Sequence, residues 1–246
     1  MAFSKVDLLT LPCAGSSATM YYRWRHLLPE WIRVHPVELP GRGARLQESF
    51  IEDFETLIDQ LCVEYAEVLN GNYALFGHSM GALLAYGIAQ RQHVTEKKLP
   101  LSIFASACSA PARHDPKRFA HRRNRSELIN DLHRQGGTPN EVFQCDEMLD
   151  LTLTILAADY GVCNSFHYEN SGPLSTSIKV FAGRDDEIST DRIEAWREET
   201  TTEFSLDWFN GGHFFIRQHE RQVLTSVANE LTRKRKAQVY ESICTP

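Results

Sequence analysis

The feature that most limits what this chain can become is its alternation of short apolar runs with segments of helical period. Strand-like runs occupy residues 6–11, 32–39, 73–77, 101–107, 178–182 and 204–209. Between them, Phe54, Leu57, Ile58, Leu61, Tyr65 and Val68 fall on one helical face, as do Leu83, Leu84 and Ile88, and later Val223, Leu224, Val227 and Leu231. Strands that are apolar at nearly every position are buried on both sides, which happens when helices cover both faces of a parallel sheet. The expected class is α/β, with a mostly parallel central sheet flanked by helices.

Composition narrows the function. Of 246 residues, 42% are hydrophobic, enough for a sizeable core, and 32 acids outnumber 26 Lys and Arg for a net charge of −6. That balance argues against a nucleic-acid partner. No run approaches the ~20 apolar residues of a membrane span. The first residues enter a strand without a signal-peptide core, so a cytoplasmic location is expected. Six scattered cysteines contain no Cys-x-x-Cys pair and no tetrahedral Cys/His spacing. They are expected to be reduced, small, mostly buried hydrophobes, with no metal and no cofactor required.

Residues 112–168 break the alternation. Helical signals there include Ser126-Glu127-Leu128-Ile129, a helix stop at Gly136-Gly137, and Leu149, Leu153, Leu156 and Tyr160 on one face. Thr138-Pro139-Asn140-Glu141 reads as a capping box with proline at the first helical position. The expected organisation is a core of residues 1–111 and 169–246, with 112–168 as a helical lid insertion. Insertions at strand carboxyl ends commonly cap the ligand crevice.

Chemistry enters at Gly77-His78-Ser79-Met80-Gly81, between the strand at 73–77 and an apolar helix. Strand, Gly-x-Ser-x-Gly, helix is the nucleophile elbow: the turn lifts the serine hydroxyl above the sheet and aims the helix N-terminus at a developing oxyanion. Serine needs a base. His213, in the glycine turn Gly211-Gly212-His213 after the last strand, lies at the same sheet edge as Ser79, and the order Ser, Asp, His fits. His78, inside the elbow, reads as structural. His26, His35, His93, His114, His121, His133 and His219 read as surface or packing residues. The orienting acid comes from Arg184-Asp185-Asp186-Glu187, where Asp186 is favoured and Asp185 stays open. Oxyanion donors are expected from the Met80 N–H and, in the small-residue loop 11–17, from the Ala14 N–H. Cys13 reads as a neighbour of the site.

Several segments together resemble the type II thioesterases, the free-standing editing hydrolases of nonribosomal peptide and polyketide assembly lines, on the α/β-hydrolase fold. These are Leu11-Pro12-Cys13-Ala14-Gly15, Pro40-Gly41-Arg42-Gly43-Ala44-Arg45, the elbow, Gly136-Gly137-Thr138-Pro139, and Gly211-Gly212-His213-Phe214-Phe215. The resemblance implies a Ser79–His213–Asp186 triad, oxyanion amides at Met80 and Ala14, and a mobile lid. It also implies an acyl or aminoacyl thioester substrate on the phosphopantetheine arm of a carrier protein, hydrolysed through an acyl-enzyme by a monomer. One departure is Ala157, where the family commonly has arginine.

Arg113, Lys117, Arg118, Arg122, Arg123 and Arg125 face only Asp115 within their own stretch of sequence. A carrier-docking role is expected for Arg118, Arg122 and Arg123. The run Arg233-Lys234-Arg235-Lys236 suits a helix C-terminus and receives no function. The same triad would also serve a small-molecule carboxylesterase or an acyltransferase, and the fold alone a non-catalytic binding protein.

Overall fold

In the computed structural model, which describes residues 5–120 and 124–244, six strands build one sheet. They are β1 (Val6–Leu11), β2 (Ile32–Pro36), β3 (Tyr73–His78), β4 (Ser102–Ser106), β5 (Ser177–Gly183) and β6 (Phe204–Phe209). Their order is β2-β1-β3-β4-β5-β6 and every neighbouring pair is parallel. All six expected strands form. The second is shorter than the 32–39 expected, because Pro36 has no N–H to extend the ladder; such a residue is tolerated here since β2 is an edge.

Helices cover both faces. Leu57, Ile58 and Leu61 of α1 (Phe54–Glu64) pack with Leu84 and Ile88 of α2 (Met80–Val94) on one side. The first ten positions of α2 are all buried, so the helix is apolar all round, as one wedged between sheet and neighbouring layers must be. On the opposite face, α6 (Glu220–Cys244) brings Val223, Leu224, Val227 and Leu231 against Tyr21, Trp24, Phe76, Phe104 and Phe181.

The chain runs from β1 outward to β2, then returns across β1 to β3. Strand order therefore reverses between β1 and β3, and the loops beyond their carboxyl ends diverge to leave a crevice. The β1 loop carries Ala14 and the β3 turn carries Ser79.

Between β4 and β5 lie α3 (Arg125–Gln135), α4 (Asn140–Phe143) and α5 (Asp146–Ser165). Leu128, Leu132, Leu149, Leu153, Leu156 and Tyr160 form an apolar cluster of their own. The Asn124 side chain caps α3 by accepting the Glu127 N–H at 2.8 Å, and Gly136 ends it at φ 71°, ψ 16°. The capping box expected at Thr138 does not form. Pro139 is extended at ψ 145°, so it precedes α4 instead of opening it, and no side chain caps that turn. Both ends of the stretch meet on the buried Glu199 carboxylate, which accepts the Ala112 N–H at 3.3 Å, the Tyr168 hydroxyl at 3.3 Å and the Tyr86 hydroxyl at 2.7 Å.

Candidate active site

Two close approaches shape the turn at Ser79. A Cβ on Gly77 would lie 2.0 Å from the Gly81 backbone, and one on Gly81 would lie 2.1 Å from the Leu11 carbonyl oxygen. Only hydrogen fits at either position. Strand β3 can then pass directly into α2, leaving Ser79 at φ 55°, ψ −119°, a region other residues than glycine rarely occupy. The Ser79 N–H donates to the Ser106 carbonyl at 2.7 Å, which holds the strained residue to β4. Gly77→Ala is expected to destabilise the protein by about 3 kcal/mol or more, because backbone is what must move; a urea midpoint close to that of the unmodified chain would contradict the packing argument.

Across the crevice, the loop after β6 brings His213 over the loop after β5. The His213 Nδ1–H donates to Asp186 Oδ2 at 2.9 Å, with side-chain exposures of 13% and 7%. Asp185 is used differently. Its Oδ2 accepts the Gly211 N–H at 3.1 Å and its own N–H donates to the Gly211 carbonyl at 3.0 Å, bracing the two loops against each other. Gly183 permits that approach, since a Cβ there would lie 2.6 Å from the Gly211 oxygen.

Ser79, His213, Met80 and Ala14 all line one cavity enclosing about 720 Å³ of empty space, including open solvent at its mouth. The Met80 N–H opens α2 and so has no acceptor within the helix. Cys13, Cys108 and Cys163 also line the cavity. Burial pushes the Cys13 thiol up to about 11 and Cys108 up to about 12, and holds Cys163 well above the ordinary thiol range. These thiols stay protonated near neutral pH and are poor nucleophiles.

His78 is fully buried, with Nδ1 2.9 Å from the Ser106 hydroxyl and its ring 5.4 Å from that of His213. Burial, reinforced by the charges of His213 and Arg217, holds it well below the usual histidine range and therefore neutral. The unfolded chain binds a proton there that the folded chain does not, so stability is complete above the unfolded pKa of ~6.5 and falls as pH drops below it. His78→Asn is expected to flatten the acid limb of a stability–pH curve by up to ~1.4 kcal/mol per pH unit, and an unchanged limb would show that His78 does not drive it.

Residues 112–168 supply more of the cavity than their sequence suggested. Arg118, Phe119, Gln135 and Tyr160 line it, as does His114, which contacts the Cys163 carbonyl at 2.8 Å and stacks on Phe119. His114 is thus a wall residue of the site. The basic segment also looks different in space: Arg113 pairs with Glu198 at 3.5 Å, Arg118 with Glu187 at 3.4 Å, and Arg125 with Asp150. The expectation that only Asp115 opposes these cations fails, because the partners are remote in sequence. Arg122 and Arg123 lie outside the described residues.

The largest feature missed from sequence is a buried ion pair. Arg42 Nη1 and Nη2 donate to Asp159 Oδ2 and Oδ1, both at 2.6 Å, with exposures of 3% and 2%. Asp159 Oδ2 also accepts the Gly15 N–H at 2.8 Å, and Arg42 Nη1 donates to the Ser16 carbonyl at 3.1 Å. One bidentate pair thus ties α5, the Pro40–Arg45 turn and the loop holding Ala14. Arg42 and Asp159 both sit in segments noticed in the sequence, but nothing in a linear reading links positions 117 residues apart.

A parallel sheet with this elbow, and with a histidine and an acid on the following strand loops, defines an α/β-hydrolase. The Thioesterase domain family matches residues 7–234, and the chain belongs to that family. It is accordingly a hydrolase of thioesters. The chain is 32% identical over 229 residues to the gramicidin S biosynthesis protein GrsT of Aneurinibacillus migulanus, covering 93% of this chain and 90% of that one. Among solved structures it is similar to the RedJ thioesterase from the prodiginine biosynthetic pathway in Streptomyces coelicolor, with TM-score 0.85 and 29% identity over 93% of this chain and 91% of that one. It is also similar to the type II thioesterase BorB from the borrelidin biosynthetic cluster, with TM-score 0.84 and 32% identity over 92% and 93% of the two chains.

Proposed function

We propose that this protein is an editing thioesterase that removes acyl or aminoacyl groups from the phosphopantetheine arms of carrier proteins in a nonribosomal peptide or polyketide assembly line. The observation that carries the reading is the strained Ser79 in one cavity with His213, whose Nδ1–H is held by Asp186, in a chain that aligns along nearly its whole length with a type II thioesterase. In the reaction, Ser79 Oγ attacks the thioester carbonyl while His213 Nε2 takes its proton. The oxyanion is received by the Met80 and Ala14 N–H groups. The C–S bond then breaks and the arm leaves as a thiolate, a good leaving group that makes little demand on a general acid and that takes up the proton held by His213, which returns the imidazole to its neutral, basic form. Water, deprotonated by His213, attacks the Ser79 ester, and collapse releases the carboxylic acid and the serine. Asp186 keeps His213 in the Nδ1–H tautomer and stabilises its cation throughout.

Residues 112–168 act as the lid over this chamber, with 1–111 and 169–246 as the core. No cofactor or metal takes part, and the enzyme works as a cytoplasmic monomer that meets its carrier transiently. Carrier docking is assigned to the basic segment through Arg118, Arg122 and Arg123, of which Arg118 also pairs with Glu187.

Thiol release from acyl-phosphopantetheinyl carrier protein, beside the matching acyl-CoA and a p-nitrophenyl ester, tests the reading. Turnover of the carrier substrate exceeding that of acyl-CoA is expected. Fast ester cleavage without carrier turnover would replace it with a carboxylesterase, and acyl transfer to an added acceptor in preference to water would replace it with an acyltransferase.

A further inference from the structure

One wall of the chamber that holds Ser79 carries a polar atom with a fixed role. His114 lines the chamber and is half-buried. Its ring is clamped, stacked on Phe119 with centroids 5.6 Å apart at an 8° interplanar angle, and edge-on to Phe166 at 5.2 Å and 87°. Nε2 lies 2.8 Å from the Cys163 carbonyl oxygen, which can only accept, so Nε2 carries the proton. Burial holds the ring below the usual histidine range and therefore neutral near pH 7. Nδ1 is left with a bare lone pair, and among the described residues nothing hydrogen-bonds to it.

The other polar groups of the chamber are engaged or unselective. The Tyr160 hydroxyl donates to Asp131 at 3.2 Å and accepts from Gln135 Nε2 at 3.3 Å. Ser109 can turn its hydroxyl either to give or to accept. Asp115, Arg118 and Arg192 are the charged residues whose fields reach His114. Asp115 Oδ1 accepts the Lys117 N–H at 3.1 Å, and Arg118 pairs with Glu187 at 3.4 Å. His114 Nδ1 is different from all of these, being an acceptor that cannot become a donor without taking a charge.

Building on the thioesterase reading above, we propose that His114 is a specificity-determining residue whose Nδ1 accepts a hydrogen bond from a hydroxyl on the acyl group, so that the enzyme favours hydroxyacyl thioesters over unsubstituted ones. The discrimination comes from the wrong substrate. An unsubstituted chain shuts water away from Nδ1 and leaves an enclosed acceptor unpaired, whereas a hydroxyl takes the place of that water. A chain ending in an ammonium does not serve as well, since the aromatic surroundings that keep a proton off the imidazole disfavour a second cation in the same place.

The experiment compares the N-acetylcysteamine thioesters of hexanoate, 3-hydroxyhexanoate and 6-hydroxyhexanoate on the unmodified protein, His114→Leu and His114→Asn. The unmodified protein is expected to favour at least one hydroxylated substrate over hexanoyl roughly tenfold in kcat/KM, the scale of leaving a buried acceptor unpaired. In His114→Leu, which has no acceptor, the ratio is expected to fall to about one. In His114→Asn, whose amide oxygen can stand where Nδ1 stood, a several-fold preference is expected to remain. Each ratio is taken within one protein, so any general loss from freeing the Cys163 carbonyl cancels. A ratio near one in the unmodified protein, a preference that persists in His114→Leu, or a ratio in His114→Asn no higher than in His114→Leu would overturn the assignment. Failure of the thioesterase reading looks different: the unmodified protein would then hydrolyse none of the three substrates, nor the carrier-bound thioester.

Discussion

Ser79→Ala is expected to lower kcat for a carrier-bound thioester by about 10⁴- to 10⁶-fold while leaving KM within a few-fold, since the residue is assigned to the bond-making step and the rest of the chamber is untouched. Stability offers an independent reading of the same residue. Ser79 holds a positive φ of 55°, and alanine inherits that strain because it also carries a Cβ. Glycine does not. Ser79→Gly is therefore expected to be inactive as well, yet more stable than Ser79→Ala by roughly 1 kcal/mol, after the extra backbone entropy of glycine offsets part of the relief. Thermal unfolding of the two variants beside a thiol-release assay measures both effects. Residual activity above about 1% in Ser79→Ala would move the nucleophile elsewhere, and equal stability would mean that the elbow stores no strain.

Breaking the Arg42–Asp159 pair is the second large effect. Removing either partner leaves an uncompensated charge at a position almost closed to water, so Arg42→Ala and Asp159→Ala should each lose about 3–5 kcal/mol of stability. Replacing both, as in Arg42→Met with Asp159→Leu, should recover most of that loss, because two apolar groups of similar volume need no partner. Urea unfolding of the unmodified protein, Arg42→Met, Asp159→Leu and the double variant forms a double-mutant cycle whose coupling reads the pair itself. The apolar double variant still lacks the acceptor for the Gly15 N–H and the donor for the Ser16 carbonyl. Its kcat should therefore remain depressed when its stability returns, since Ala14 sits directly beside those anchors. Losses under about 1 kcal/mol in the single variants would show that the pair does not anchor the loop.

What was legible beforehand depended on locality. All six strands and the helices α1, α2 and α5 announce themselves through apolar spacing, and the Ser79 turn through two glycines four residues apart. The stop at Gly136 was equally plain, because a left-handed residue there almost demands glycine. The box at Thr138 failed for the same local reason in reverse: a proline's fixed φ leaves ψ free, and neighbouring packing chose the extended value. The basic segment failed differently. Its acidic partners Glu187 and Glu198 belong to the far side of β5, so a count along the sequence found almost none of the charge that surrounds it in space.

The sequence by itself determined that the chain would make a parallel sheet covered on both faces, that Ser79 would stand on a strand-to-helix turn, and that a histidine and an acid would follow on later strand ends. Those properties reside in period, in glycine placement and in chain order. Only the tertiary structure separates Asp185 from Asp186, because both leave the same turn and what distinguishes them is that the Asp186 carboxylate meets His213 while that of Asp185 accepts the Gly211 N–H. It alone joined Arg42 to Asp159 and made His114 part of the chamber. The physical reason is common to all of these: charge pairing and hydrogen bonding act over a few ångströms of space, and the folded sheet brings together groups that the chain keeps tens to more than a hundred residues apart.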